Sequence, residues 1–108
     1  MYRKQFLEIL FIFFSSIIYS QNVISPLDIP LNISGTFGEL RNTHFHTGID
    51  IKTKGKQGLK VKSIKDGYVV WIRVNKGGYG KSIYIKHSDG TTSIYAHLKM
   101  FSNEIEEY

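Results

Sequence analysis

The sequence predicts a mainly β domain, an antiparallel sheet of sandwich or barrel-like form. Three observations carry that expectation. Short runs of alternating apolar and polar residues recur through the second half of the chain. β-Branched and aromatic residues concentrate in them. Glycine-bearing turns separate them at intervals of about 8 to 12 residues, the rhythm of an all-β fold. Only the last residues break the pattern, where "FSNEIEEY" (101–108) reads as the start of a helix.

Residues 1–20 read as a signal peptide. Arg3 and Lys4 supply a basic head, 9–18 is an apolar stretch, and Ser20 is a small residue at a cleavage position. Glu8 at the edge of the run and the bulky Ile18 before the cut are the irregular features. The stretch is about half the roughly 20 apolar residues a membrane span requires. The expectation is therefore a cleaved signal with no transmembrane span left after cleavage. The mature protein is then exported, to the periplasm, the cell envelope or the extracellular space.

The 108 residues suffice for one domain. There is no cysteine, which excludes disulfides, thiolate metal sites, thiol redox chemistry and a lipid-modified cysteine. The formal net charge is +5. In an exported protein such a balance fits an anionic envelope surface better than nucleic acid, so no nucleic-acid partner is expected. Lys52, Lys54, Lys56, Lys60 and Lys62 recur mostly at even spacing, as the solvated side of extended chain does.

Residues 21–33 form a connector, because Pro26 and Pro30 bar a helix and restrict the residues before them. The domain occupies 34–108. "LKVKSI" (59–64) alternates as a strand does, and Asp66-Gly67 is a turn signal. "YVVWIRV" (68–74) is β-branched and aromatic, and "NKGGYG" (75–80) is a glycine-rich loop. "SIYIKH" (82–87) and "TTSIYAHL" (91–98) flank the turn "SDG" (88–90). At the end, Ser102 or Asn103 is the expected helix cap, and Asn103 and Glu106 have capping-box spacing. One or two turns at a chain end are not stable alone, so the natural polypeptide is expected to continue.

Chemistry concentrates in "RNTHFHTGIDIK" (41–52). His46, Gly48 and Asp50 share one face of a straight strand, but four extended residues span about 13 Å. Ligands bind zinc at about 2.0–2.2 Å, so His46 and Asp50 meet on one ion only if the chain bends, and Gly48 is the residue that permits a bend. His44 lies two residues from His46 and is an alternative partner for it. Arg41 is placed to orient a carboxylate or to contact substrate. His87 and His97 end successive strands. In a hairpin His87 sits by the turn and His97 at the far end, too far apart to share an ion.

Taken together, "HTGIDI", "GLKVKSIKDGYVVWI" and "GGYGKSIYIKHSDGTTSIYAHL" resemble the lysostaphin-like zinc metallopeptidases, exported enzymes that cut peptide bonds of bacterial peptidoglycan. The resemblance covers about residues 34 to 100, with several separated motifs in the family's order. It implies that His46 and Asp50 are zinc ligands and that His97 of "YAHL" is a catalytic residue. It implies that His87 is structural, and His44 matches no essential position. Zn2+ is the implied cofactor and the peptide stems of peptidoglycan the implied partner. The family closes its site with a C-terminal His-x-His that supplies the third ligand, and no such pair follows His97. The chain is therefore expected to be an inactive N-terminal fragment of the peptidase domain. The alternative is a non-catalytic domain of the same fold that binds cell wall or regulates a hydrolase. A biotinyl- or lipoyl-type carrier, suggested by Lys99, is disfavoured because a carrier lysine belongs in a tight hairpin turn.

Overall fold

The computed structural model describes residues 22–108. The expected signal peptide therefore lies outside the described residues. Among them no helix is long and apolar enough to cross a membrane. Among the described residues five strands form two antiparallel sheets and the one helix is short, so the fold is mainly β and not a closed barrel. β1 (Ile33–Gly35) pairs with β2 (Asp50–Ile51). β3 (Gly67–Val74), β4 (Lys81–His87) and β5 (Thr92–Leu98) form a three-stranded meander in that order.

β4 is central and holds most of the burial. Ser82, Tyr84 and His87 are buried along it, and Leu27 and Phe101 are the other large or medium side chains shielded from water. β3 is an edge strand, and all eight of its residues are exposed. Trp71 nevertheless makes an edge-on contact with Tyr84, ring centroids 5.5 Å apart. The Arg73 guanidinium lies over both rings, which suits their electron-rich faces.

Two bulges shape the meander. Val69 pairs with Ile85 and Trp71 with Tyr84, which leaves Val70 as an extra residue in β3. In β5, Leu98 pairs with Lys81 and Tyr95 with Ile83, so Ala96 and His97 together oppose Ser82. His97 adopts a left-handed backbone, φ 57°, within this bulge. A bulge re-aims side chains that regular alternation would place elsewhere.

His87 is 3% exposed, and its ring is bonded at both ends. Nδ1 lies 2.8 Å from the Asp66 carbonyl and Nε2 2.8 Å from Ser93 Oγ. Ser93 Oγ reaches the Tyr95 hydroxyl, which accepts the Ile64 N–H. The network ties β4 and β5 to the segment before β3, so His87 is structural in this fold. Gly67 pairs with His87, and a Cβ there would sit 2.8 Å from His87 Nδ1, so only glycine leaves room for the ring.

The segment 59–64 departs from the expected strand. Its neighbour is 24–26, and the cross-links are Ile24 N–H to the Ile64 carbonyl and Lys62 N–H to the Pro26 carbonyl. Pro26 has no N–H to return, so the ladder stops there. An ion pair from Lys62 to Asp28 supplements it. The helix, α1 (Asn103–Glu106), starts where expected, with Ser102 at the cap. Ser102 makes no side-chain capping bond. Instead the Glu106 carboxylate accepts the Phe101 N–H at 3.0 Å and pairs with Lys81 at 3.3 Å. Those bonds hold the Glu106 carboxyl below its ordinary range.

Candidate metal and catalytic site

The run 41–52 is not one strand. Residues 38–46 form a small hairpin closed by Arg41 N–H to the His44 carbonyl, 2.9 Å. A bridge joins Leu40 and Phe45. His46 N–H donates to the Glu39 carbonyl, and Gly38 N–H to the His46 carbonyl. His44 thus sits in the turn, exposed, its Nδ1 3.1 Å from Thr43 Oγ1. Its carbonyl closes the hairpin, and its ring takes no part in the His46–Asp50 cluster.

The chain then bends at Gly48 and enters β2 at Asp50. The bend occurs at the expected residue for a reason other than the expected one. Gly48 stays out of the left-handed region, and a Cβ there would meet only His46 Nε2, at an ordinary 3.9 Å. The bend does not depend on glycine's conformational freedom. Gly35 is the demanding glycine. It pairs with Asp50, and a Cβ on it would lie 2.6 Å from Arg41 Nη2 and 3.0 Å from Asp50 Cγ.

The bend brings His46 Nε2 to 3.3 Å from Asp50 Oδ1. His46 Nδ1 lies 3.0 Å from the Thr36 carbonyl. A carbonyl only accepts, so Nδ1 carries the proton. In a neutral ring Nε2 then presents a lone pair to a carboxylate oxygen. A protonated ring pairs with the carboxylate directly, whereas a neutral ring sets two acceptors face to face, an arrangement that a bound cation satisfies. Two donors on one tetrahedral ion at about 2.0–2.1 Å stand about 3.3–3.4 Å apart. The pair fits that spacing, and a histidine that donates its other N–H to a backbone carbonyl is the usual arrangement of a metal ligand.

Asp50 is fixed from its other side. Arg41 Nη2 donates to Asp50 Oδ2 at 2.7 Å and reaches Glu39 Oε2 at 3.4 Å. Glu39 is itself held by the Thr36 N–H at 3.3 Å. The Arg41 bond, with smaller contributions from the charges of His46, Arg41 and His97, holds the Asp50 carboxyl below the usual carboxylate range. Asp50 is thereby kept ionised, as a ligand must be.

His97 stands exposed at the far end of β5. Its N–H donates to the Tyr79 carbonyl at 2.9 Å, and the Tyr79 hydroxyl lies 3.1 Å from Thr47 Oγ1. His46 and Asp50 meet directly and the His97 backbone is linked through Tyr79 to Thr47, whereas the bonds of His44 and His87 lead elsewhere. Among the described residues no group of three His, Cys, Asp or Glu side chains is arranged to enclose an ion. Sequence reasoning did not find Gly35, Glu39, Thr36 or Tyr79. Gly35 and the Thr36 carbonyl have no signal in a single sequence. The carboxylate of Glu39 two residues before Arg41 was a visible one.

A small β scaffold thus sets an imidazole 3.3 Å from an ionised carboxylate where a short hairpin enters a two-residue strand. The chain belongs to peptidase family M23, whose model matches residues 44–107. The DD-carboxypeptidases/endopeptidases Mpg of Neisseria meningitidis serogroup B and of Neisseria gonorrhoeae are similar to it. Each is 39% identical over 84 residues, which cover 73% of this chain and 19% of the relative. The chain thus spans about a fifth of the length of these relatives. No solved structure matches it.

Proposed function

We propose that this chain carries the N-terminal part of the catalytic centre of a zinc-dependent endopeptidase acting on the peptide cross-links of peptidoglycan in the cell envelope. The observation that carries the reading is the 3.3 Å approach of His46 Nε2 to Asp50 Oδ1, with Nδ1 committed to a carbonyl. Membership of family M23 and the printed activity of the Mpg relatives support the substrate class.

In this reading His46 and Asp50 hold Zn2+. A zinc ion bound there supplies Lewis acidity to the scissile carbonyl and to a hydrolytic water. The chain's own residues do the rest. Thr36 fixes the His46 tautomer so that Nε2 is free to ligate. Arg41 turns Asp50 so that Oδ1 faces His46. His97, exposed beside the pair, takes or gives a proton at the reacting carbonyl or its leaving amine. Its left-handed backbone sets the direction of the ring. Among the described residues no third His, Cys, Asp or Glu side chain joins the pair, so weak zinc binding is expected of this pair.

The test is zinc titration of the purified protein, followed by the histidine ring signals in NMR. Zinc is expected to shift His46 and to bind weakly. His46→Ala and Asp50→Ala abolish the response, and His97→Ala leaves it in place. A titration that leaves His46 unmoved would sink the metal reading and favour a non-catalytic wall-binding or regulatory domain. Tight one-to-one binding would show that a third ligand is present, with His44 a candidate.

A further inference from the structure

We propose that Tyr79 is the positioning residue that sets His97 against the His46–Asp50 pair. The inference rests on the functional reading above and names a part of the site that the motifs leave unassigned. Tyr79 is the only side chain of the glycine-rich loop 75–80 that reaches the 46–50 stretch among the bonds described. The residue is engaged at both ends. Its hydroxyl lies 3.1 Å from Thr47 Oγ1, one residue after His46, and its carbonyl accepts the His97 N–H at 2.9 Å. These are the links that join the two halves of the candidate site directly.

The loop is built to present Tyr79 in this way. Gly78 and Gly80, on either side of it, both take left-handed backbone, φ 62° and 59°. Asn75 N–H donates to the Gly80 carbonyl and Gly80 N–H to the Gly77 carbonyl, which close the loop on itself. His97 needs an external hold because its own conformation is unfavourable. A non-glycine residue at φ 57° is held in a region that its Cβ disfavours. A bulge residue in that region persists only when its surroundings fix it, and the Tyr79 carbonyl is the partner its N–H has. Thr47 and His97 are 50 positions apart in the chain, yet both answer to one side chain and its own peptide.

The consequence is mechanical coupling. A shift of the 46–50 stretch, such as ligation of an ion would bring, moves Thr47, then the Tyr79 ring, then the carbonyl that holds His97. The experiment uses Tyr79→Phe and Thr47→Val, which delete opposite halves of one hydrogen bond. In the zinc-free protein, deuterium exchange of the His97 amide is expected to accelerate roughly five-fold in each single variant, the loss of one modest hydrogen bond. The double variant matches the singles, because the same bond is already gone. Tyr95→Phe, which touches only the His87 network, leaves His97 exchange unchanged. In the zinc titration, the His97 ring signals respond in the parent and respond less than half as far in Tyr79→Phe. The His46 response and its midpoint stay within about two-fold, a pattern that general loosening of the fold would not give. Unchanged His97 exchange in both singles, or effects that add in the double, would overturn the proposal. Failure of zinc to move His46 in the parent overturns the metal reading instead, while the exchange measurement still decides the role of Tyr79.

Discussion

Replacing Gly35 by alanine should damage the candidate metal site far more than the fold. The added methyl would stand 2.6 Å from Arg41 Nη2 and 3.0 Å from Asp50 Cγ, closer than nonbonded atoms approach. Gly35 does not have a left-handed backbone, so alanine is conformationally acceptable and the effect is steric. The neighbours can yield, because the Asp50 and Arg41 side chains are 43% and 37% exposed. The folding cost is then mainly the lost Arg41–Asp50 pair, about 0.2–1 kcal/mol for an exposed pair. With a urea m-value of about 1–3 kcal/mol per molar, the midpoint falls by no more than roughly 1 M. The ligand loses its orientation, and loss of an outer partner lowers metal affinity about 10- to 100-fold. Gly48→Ala is the control, since its methyl meets nothing closer than 3.9 Å. Urea unfolding and zinc titration on the two variants measure both terms. Equal zinc midpoints for Gly35→Ala and the parent would refute the claim that the Arg41–Asp50 contact orients the carboxylate. A stability loss of several kcal/mol would show that the strand pair β1–β2, not the ligand, absorbs the clash.

Arg41→Gln should weaken zinc binding by the same 10- to 100-fold without moving the His46 ring from the Thr36 carbonyl, checked by titration and by the His46 tautomer signature in NMR. His87→Ala should cost about 2–4 kcal/mol in urea unfolding, because it removes two bonds of a buried ring and takes from the Asp66 carbonyl and from Ser93 Oγ the partner the ring supplies. Its zinc response at His46 should persist wherever the protein is folded. Asp50, Asp89 and Glu106 all have carboxyls held below their ordinary range, by Arg41, by Lys65 and Thr91, and by Phe101 N–H and Lys81 respectively. A folded value below the unfolded one favours the folded state while the group is charged. Their contribution is thus complete above about pH 5 and drains as the pH falls through about 4 and below. Thermal unfolding at stepped pH checks the sign, and a melting temperature that rises on acidification would contradict it.

The strands were legible because their signals are local. Alternation and β-branching mark 68–74, 82–87 and 91–98, and the turns between them carry Asp-Gly or glycine-rich sequence. The failure at 59–64 has an equally local cause, but in its partner. Its own alternation is good, and Pro26 across from it cannot extend the ladder. Sequence spacing showed that His46 and Asp50 must be joined by a bend, and it pointed to Gly48. It could not show that the steric demand falls on Gly35, since that demand arises only when β1 lies against β2. The same limit hid Tyr79. Its two contacts, to Thr47 and to His97, cross 32 and 18 positions, and neither contact has a periodicity.

The division of labour between sheet and loops explains why these variants can be read separately. Burial follows β4, through Ser82, Tyr84 and His87, and the polar network of His87 locks the meander to the preceding segment. The His46–Asp50 pair lies outside that region, at the join of a small hairpin and a two-residue strand, and its supports are short polar contacts to Thr36, Glu39 and Arg41. His46 and Asp50 are only partly shielded, so their removal forfeits little apolar burial. His46→Ala should therefore leave stability within about 0.5 kcal/mol of the parent while abolishing the zinc response. A loss of several kcal/mol on that substitution would mean that His46 serves the hairpin through the Thr36 carbonyl and that the 3.3 Å approach to Asp50 is a structural ion pair. Near-neutral stability with a lost zinc response would mean that the approach is kept for a ligand.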